Sequence, residues 1–277
     1  MVGIFGRQLF FGIAGSGVSA GFLWGIFEEK QQANTLLKNN PDLFVKWDFN
    51  WDRRDPHSLV KPPKNGDPLE QNRYNDQLVK ATPKASRHLI LIRHGQYVMA
   101  SEDYERKLTE LGKEQADIVG KRIKNLGFPF TRIIQSSMLR ALETSELIQK
   151  HVQGVRVETC DFIREGAPIP PEPPVGHWRP EAQQFYQDGA RIEAAFRKYF
   201  HRASPDQEKD SYDVLVCHAN VIRYFVCRAL QLPPEAWLRF SLHNCSISWI
   251  VIQPSGRVVA YTVGDIGHMP TDKMSTS

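Results

Sequence analysis

The sequence has few cysteines. The four of them, Cys160, Cys217, Cys227 and Cys245, form no C-x-x-C pair and no zinc-ligand spacing. Three lie in apolar stretches, so the simplest reading is buried, reduced thiols. That is compatible with a reducing environment and with a membrane-enclosed space. No Lys/Arg run and no alternation of aromatic with basic residues marks a nucleic-acid partner. No H-E-x-x-H motif or acidic cluster marks a metal site, and no cofactor is expected. Internal repeats and low-complexity tracts are also missing. The net charge of +4 is small; it fits an anionic ligand, although solubility explains it as simply. With 41% hydrophobic and 24% charged residues, the composition is that of an ordinary globular domain. The length suffices for one substantial core with extra segments.

Charge is absent from residues 8–27, with Arg7 before the run and Glu28, Glu29 and Lys30 after it. Twenty helical residues rise about 30 Å, enough to cross a hydrocarbon core. Gly17, Gly21 and Gly25 make two G-x-x-x-G spacings that would let helices approach closely. Residues 1–30 are therefore expected to be an N-terminal membrane anchor and targeting segment. A cleaved signal peptide is the competing reading, weakened by a charged region of one arginine and a long, glycine-broken apolar run.

Residues 31–85 show little periodicity and carry Asn39-Asn40-Pro41 and Pro62-Pro63-Lys64-Asn65-Gly66-Asp67-Pro68, so they read as an extended or irregular tether. Within it, Trp47-Asp48-Phe49-Asn50-Trp51-Asp52 places three aromatics in five residues. Aromatics are costly to leave in water, so this island should dock, either on its own domain or on another subunit.

From Arg87 the pattern is α/β. Leu89 to Ile92 and Val214 to Cys217 are continuous apolar runs, as expected of strands buried on both faces. Thr109 can cap a helix to about Leu126, closed by Gly127. Ser136 or Ser137 can cap another from Met138 to about Lys150, and further helices are predicted over 180–200 and 220–230. Residues 133–134 and 155–157 read as short strands, and 247–252 with 258–263 as a hairpin. The expectation is a mainly parallel sheet with helices on both faces, spanning residues 86–270, with a tail over 271–277.

Two histidines immediately follow the buried runs: His94 inside Arg93-His94-Gly95, and His218 inside Cys217-His218-Ala219-Asn220. Ligands of open α/β sheets bind beyond the carboxyl ends of the strands. One such histidine could be merely structural; two at equivalent positions point to a site. An arginine fork suits phosphate oxygens, and an imidazole with one free nitrogen can attack phosphorus. Arg140, in the first turn of a predicted helix, would share a phosphate with the helix N-terminus; the bland alternative is a solvated surface arginine. His218, if protonated, could neutralise phosphoryl charge. Glu165 lies in a Pro/Gly-rich loop, where a glutamate is usually just solvated, yet it is the best available proton donor.

Together Arg93-His94-Gly95, Leu108-Thr109 with Gly112 and Gln115-Ala116, Ser136-Ser137 with Arg140-Ala141, and His218 resemble the phosphoglycerate mutase, or histidine phosphatase, superfamily over about residues 87–265. The aromatic island, Arg164-Glu165-Gly166-Ala167-Pro168 and Cys217-His218-Ala219-Asn220 narrow the likeness to the mitochondrial protein-serine/threonine phosphatases of that superfamily. The resemblance implies a phosphatase acting on phosphoserine and phosphothreonine of proteins without a metal. His94 would be the nucleophile, Glu165 the proton donor and acceptor, and Arg93, Arg140 and His218 the phosphate pocket. It also implies a mitochondrial membrane location, outer membrane favoured and inner possible. Further implications are homo-oligomers assembled and activated through Trp47, Asp48, Asn50, Trp51 and Asp52, and a stress-activated MAP kinase kinase kinase among the partners. There are two departures. Residues 55–85 lack the acidic Glu-Ser-Gly-Glu-type motif that recruits a ubiquitin-ligase adaptor, and Gly95 stands where that branch is expected to carry serine, with no harm to catalysis expected. The rivals are a phosphoglycerate mutase or small-molecule phosphatase, and a membrane scaffold with incidental catalysis. Gln96-Tyr97-Val98-Met99-Ala100 lacks the polar Ser and Asn that mutases place there.

Overall fold

The computed structural model describes residues 46–64, 66–176 and 180–276. The chain divides after Trp47, and the architecture below is that of the unit Asp48–Ser277. The expected anchor over residues 8–27 lies outside the described residues. Among the described residues, no helix is long and apolar enough to cross a membrane.

Six strands form one mixed sheet in the order β3-β2-β4-β1-β5-β6. β1 (Arg87–Arg93), β2 (Arg132–Ser136), β3 (Arg156–Cys160) and β4 (Ser211–Cys217) run parallel. β5 (Ile247–Ile252) pairs antiparallel with β1, and β6 (Val258–Asp265) with β5. The mainly parallel sheet of the sequence reading thus acquires an antiparallel edge, because the hairpin of β5 and β6 is added beside β1. Every residue of β1 is buried, as its place between β4 and β5 requires.

Side chains alternate across the sheet, so Ile90 and Ile92 face one layer and Leu89 and Leu91 the other. The first layer contains Ala116, Val119 and Ile123 of α3 (Glu110–Leu126) and Ile148 of α4 (Leu139–Gln149). On the other side, α5 (Ala182–Tyr199) and α6 (Ala219–Ala229) bring together the rings of Phe196, Phe200 and Phe225. The Thr109 hydroxyl accepts from the Gly112 amide at 3.0 Å, a cap of about 1 kcal/mol. Gly127 ends α3 in the left-handed region at φ 66°. Neither Ser136 nor Ser137 caps α4: Met138 holds the cap position without a side-chain bond, and the Asp103 carboxylate accepts from the Leu139 amide at 3.3 Å. That donor is satisfied from a residue distant in sequence.

The segment before β1 is more ordered than its composition suggests. It contains α1 (Pro56–Leu59), capped by Asp55, and α2 (Pro68–Ala81), capped by Asp67, each with proline at the helix start. Loop-type prolines here act as helix initiators, which the irregular reading of 31–85 missed. Of the aromatic island, residues 48–52 pack on their own domain, although Phe49 remains exposed, against the expectation that each aromatic docks. Trp51 donates its indole N–H to Gly256 O at 2.8 Å and approaches Phe196, their ring centroids 6.0 Å apart. Asp52 accepts from the Arg202 backbone N–H at 2.8 Å and from its guanidinium at 2.9 Å, both side chains being enclosed. Asp48 and Gln231 exchange two bonds, and the Asn50 amide oxygen accepts from the Asp55 amide. Trp47 belongs to the other unit.

Candidate active site

The carboxyl ends of all four parallel strands converge on one place. Register pairs Arg93 with Cys217 and Ser136 with Cys160, so the residues leaving β1 and β4 emerge side by side. The His94 and His218 rings therefore lie 5.1 Å apart between centroids. β2 delivers Ser136 and, in the first turn of α4, Arg140; β3 leads through the short 3-10 turn Asp161–Ile163 to Glu165. The structure thus brings Arg93, His94, Arg140, Glu165 and His218 to one end of the sheet. Trp51 and Asp52 engage a different surface, around Gly256 and Arg202.

His94 is buried, and its Nδ1–H donates to Gly95 O at 2.8 Å. That bond selects the tautomer in which Nε2 carries a lone pair. Nε2 accepts from Arg140 Nε at 3.1 Å. Burial, Arg140 and Arg93 together hold the imidazole well below its ordinary pKa, so it rests neutral and nucleophilic. The loop carrying it is tightly constrained. A Cβ at Gly95 would come within 2.5 Å of Gly112 O, so glycine lets this loop close on the start of α3. Gly95 N donates to the Thr144 hydroxyl at 3.0 Å, and Asn244 Nδ2 to His94 O at 3.1 Å. Cys245, next to Asn244, has φ 57°, a left-handed conformation rarely held by a non-glycine residue, and its amide donates to Arg93 O at 3.0 Å.

Arg140 is buried. Its guanidinium reaches Asp103 at 3.3 Å and the Met138 sulfur at 3.6 Å, and lies over the Tyr97 ring. Arg93 donates from one terminal nitrogen to Leu242 O at 2.5 Å and Thr276 O at 2.9 Å, while its Nε is buried with no partner among the described residues. The C-terminal tail is thus built into the site. Gln115 donates to Lys273 O and Ser275, and Ser275 donates to Asn244.

His218 is neutral at rest, since burial, then His94, Arg140 and Arg93, push its pKa well down. The sequence reading tied its role to a protonated ring; in the free site that form is strongly disfavoured. Its Nε2 lies 2.8 Å from the Ser136 hydroxyl, which itself accepts from the Met138 amide at 3.3 Å. With the hydroxyl proton directed to Nε2, Nδ1 carries the hydrogen, and that buried atom has no partner among the described residues. A neutral His218 can therefore still donate to an anion.

Glu165 is partly buried, and desolvation raises its pKa, opposed by Arg140, the Gly166 amide and Arg93. Its loop is clamped from two helices: Arg191 of α5 donates to Arg164 O at 2.7 Å and to Glu165 O at 3.1 Å, and Asn220 of α6 donates to Gly166 O at 3.1 Å. Asp188 accepts from the Ala167 amide at 3.0 Å. A neutral imidazole nucleophile, two guanidinium groups and a carboxyl whose pKa is raised can perform phosphoryl transfer by covalent catalysis.

Sequence reasoning did not single out Asp103, Tyr97, Thr144, Asn244 or Arg223. Thr144 was findable, being one helical turn beyond Arg140 on the same face. Arg223, whose Nε is also buried and unpartnered among the described residues, lies five residues after His218, one helical turn and a half into α6.

A model of the histidine phosphatase superfamily (branch 1) matches residues 89–167 and 171–263. The chain is 53% identical over 267 residues to a Drosophila pseudoobscura pseudoobscura protein named serine/threonine-protein phosphatase Pgam5, mitochondrial, covering 94% of this chain and 92% of that one. A protein of the same name from Drosophila ananassae is 51% identical over 268 residues, covering 95% and 93%. Among solved structures, a mycobacterial hydrolase matches with a TM-score of 0.51 at 20% identity, over 65% of this chain and 99% of that one; this likeness concerns the fold alone.

Proposed function

The chain belongs to the histidine phosphatase superfamily, and on that premise we propose that it is a protein-serine/threonine phosphatase working through a phosphohistidine at His94. The observation that carries this reading is the His94 tautomer: Nδ1 is committed to Gly95 O, leaving the Nε2 lone pair beside a guanidinium at the mouth of four strand ends.

A phosphorylated side chain enters with its oxygens toward Arg93, Arg140 and the Nδ1–H of His218. Arg140 releases Nε2, which attacks phosphorus in line. The N–P bond forms as the P–O bond to the serine or threonine oxygen breaks, and Glu165 gives that oxygen its proton. The resulting Glu165 carboxylate takes a proton from water, the hydroxide oxygen attacks phosphorus, and the P–N bond breaks to release phosphate and neutral His94. Arginines and histidines supply the charge neutralisation that a metal supplies elsewhere.

The finer assignments belong to the same reading. Residues 8–27 anchor the protein in a mitochondrial membrane, the outer one favoured, and carbonate-extracted mitochondria would retain it in the pellet. Copies assemble through the aromatic island: the surface around Arg202 and Gly256 that takes the island within one chain is equally suited to a neighbour's. Phosphoproteins are the partners, a stress-activated MAP kinase kinase kinase being one to test.

The deciding experiment incubates the full chain, without added metal, with a phosphothreonine peptide, beside His94→Ala and with 3-phosphoglycerate as a second substrate. Peptide hydrolysis lost in His94→Ala supports the reading. No peptide hydrolysis by folded wild type overturns it, and consumption of 3-phosphoglycerate instead would assign a mutase or small-molecule phosphatase.

A further inference from the structure

In the free site the attacking nitrogen is occupied, because Arg140 Nε–H donates to the His94 Nε2 lone pair at 3.1 Å. A lone pair held in a hydrogen bond cannot attack phosphorus, so the guanidinium has to redirect its donors while staying in the site. Its other partners do not hold it firmly. Asp103 is at 3.3 Å and the Met138 sulfur at 3.6 Å, both longer than the 2.7–2.9 Å of a strong charge-assisted bond.

The remaining contact is different in kind. The Arg140 guanidinium carbon sits 4.7 Å from the centroid of the Tyr97 ring. Attraction of a cation to a ring face does not depend on which way the N–H groups point within the guanidinium plane, whereas a hydrogen bond does. The same ring packs nearly perpendicular to the nucleophile's: the His94 and Tyr97 centroids are 5.2 Å apart at 81°. Tyr97 is itself held firmly. It bridges to Leu108, the adjacent Val98 amide donates to Lys107 O at 2.8 Å, and the ring packs on the core. Its hydroxyl makes no hydrogen bond among the described residues, whereas its ring face is covered by the Arg140 guanidinium.

We propose that Tyr97 is a positioning residue: its ring is the platform on which the Arg140 guanidinium turns from His94 Nε2 to the phosphoryl oxygens, its perpendicular packing on His94 keeping the imidazole in line. This rests on the phosphatase reading above. The ring acts through Arg140 and His94 and touches no reacting atom.

The test compares the full chain with Tyr97→Phe, Tyr97→Leu and Tyr97→Met. Orthovanadate affinity is measured by calorimetry, and kcat and KM on a phosphothreonine peptide. Phe keeps the face and is expected within about twofold of wild type in every constant. Leu and Met remove it and are expected to weaken vanadate binding and lower kcat about tenfold, with KM nearly unchanged because Arg93 and His218 still hold the ground-state phosphate. Leu and Met variants within twofold of wild type overturn the proposal, and so does a Phe variant as impaired as Leu, which would assign the role to the hydroxyl. Melting curves check each fold; should Leu unfold, Met decides. Vanadate is read without turnover, so a wild type that binds it but cleaves no phosphopeptide defeats the substrate assignment and leaves the Tyr97 comparison standing.

Discussion

Replacing Glu165 by Gln removes a proton donor while keeping the side chain's shape. In the structure this residue is partly buried, and desolvation raises its pKa despite Arg140 and Arg93 nearby, the direction a proton donor to the leaving oxygen needs. General acid catalysis of this kind contributes about 10²–10⁴ in rate, or roughly 3–5 kcal/mol of barrier. A serine or threonine alkoxide is a poor leaving group and should show that whole loss. p-Nitrophenolate departs unprotonated, so formation of the phosphoenzyme from p-nitrophenyl phosphate should be nearly unaffected. Its hydrolysis still needs the carboxylate as a base. Glu165→Gln should therefore release one p-nitrophenolate per active site in a rapid burst and then stall, with phosphohistidine accumulating at His94. Stopped-flow absorbance gives the burst, and acid-labile, base-stable phosphate on the protein identifies the trapped species. Equal loss on both substrates without a burst would refute the assignment of Glu165 as proton donor, because it would mean that the residue matters before chemistry, in binding or loop placement.

Acid should destabilise the fold. His94 and His218 are held well below the ordinary histidine pKa, and burial lowers His201 to about 4. The unfolded chain therefore takes up protons that the folded chain refuses as pH falls below about 6.5, each group contributing up to about 1.4 kcal/mol per pH unit until its folded pKa is reached. Melting temperature should fall steadily between pH 6.5 and 4, and a flat profile would contradict the neutral assignments. Asp52→Asn deprives the enclosed Arg202 guanidinium of its close carboxylate partner, leaving only Asp55 at 4.0 Å, at a cost of about 3–5 kcal/mol, which detachment of the island relieves. Tryptic cleavage at the exposed Arg53 and Arg54 should accelerate by about 10²–10⁴-fold, and an unchanged rate would mean that the ion pair does not hold the segment.

Much of the fold was legible because its signals are local. The apolar runs of β1 and β4, the Thr109 cap and Gly127 at the end of α3 depend on neighbours a few residues away, and each appears where periodicity and capping chemistry put it. The same locality explains the failures. Ser136 and Ser137 have the chemistry of helix caps, but register directs Ser136 to His218 and Ser137 to Asp161, and the α4 amide goes to Asp103. Proline after Asp55 and Asp67 reads as loop on composition and as a helix start in place. The aromatic island announced that it must dock, while its partners Arg202, Gly256 and Gln231 lie 150 or more residues away and nothing in the island names them.

By itself the sequence determined which reactive groups stand at the strand ends: an imidazole behind each of two buried strands, arginines at 93 and 140, and a glutamate after β3. Only the tertiary structure decided what state those groups are in. Strand register set His94 beside His218, the Gly95 carbonyl selected the His94 tautomer, burial together with two guanidinium groups kept both rings neutral, and desolvation raised the Glu165 pKa against the pull of those same guanidinium groups. Residue types specify what a group can donate or accept. Protonation and aim depend on solvent exclusion and on charges brought from distant parts of the chain, and these arise only when the sheet is assembled.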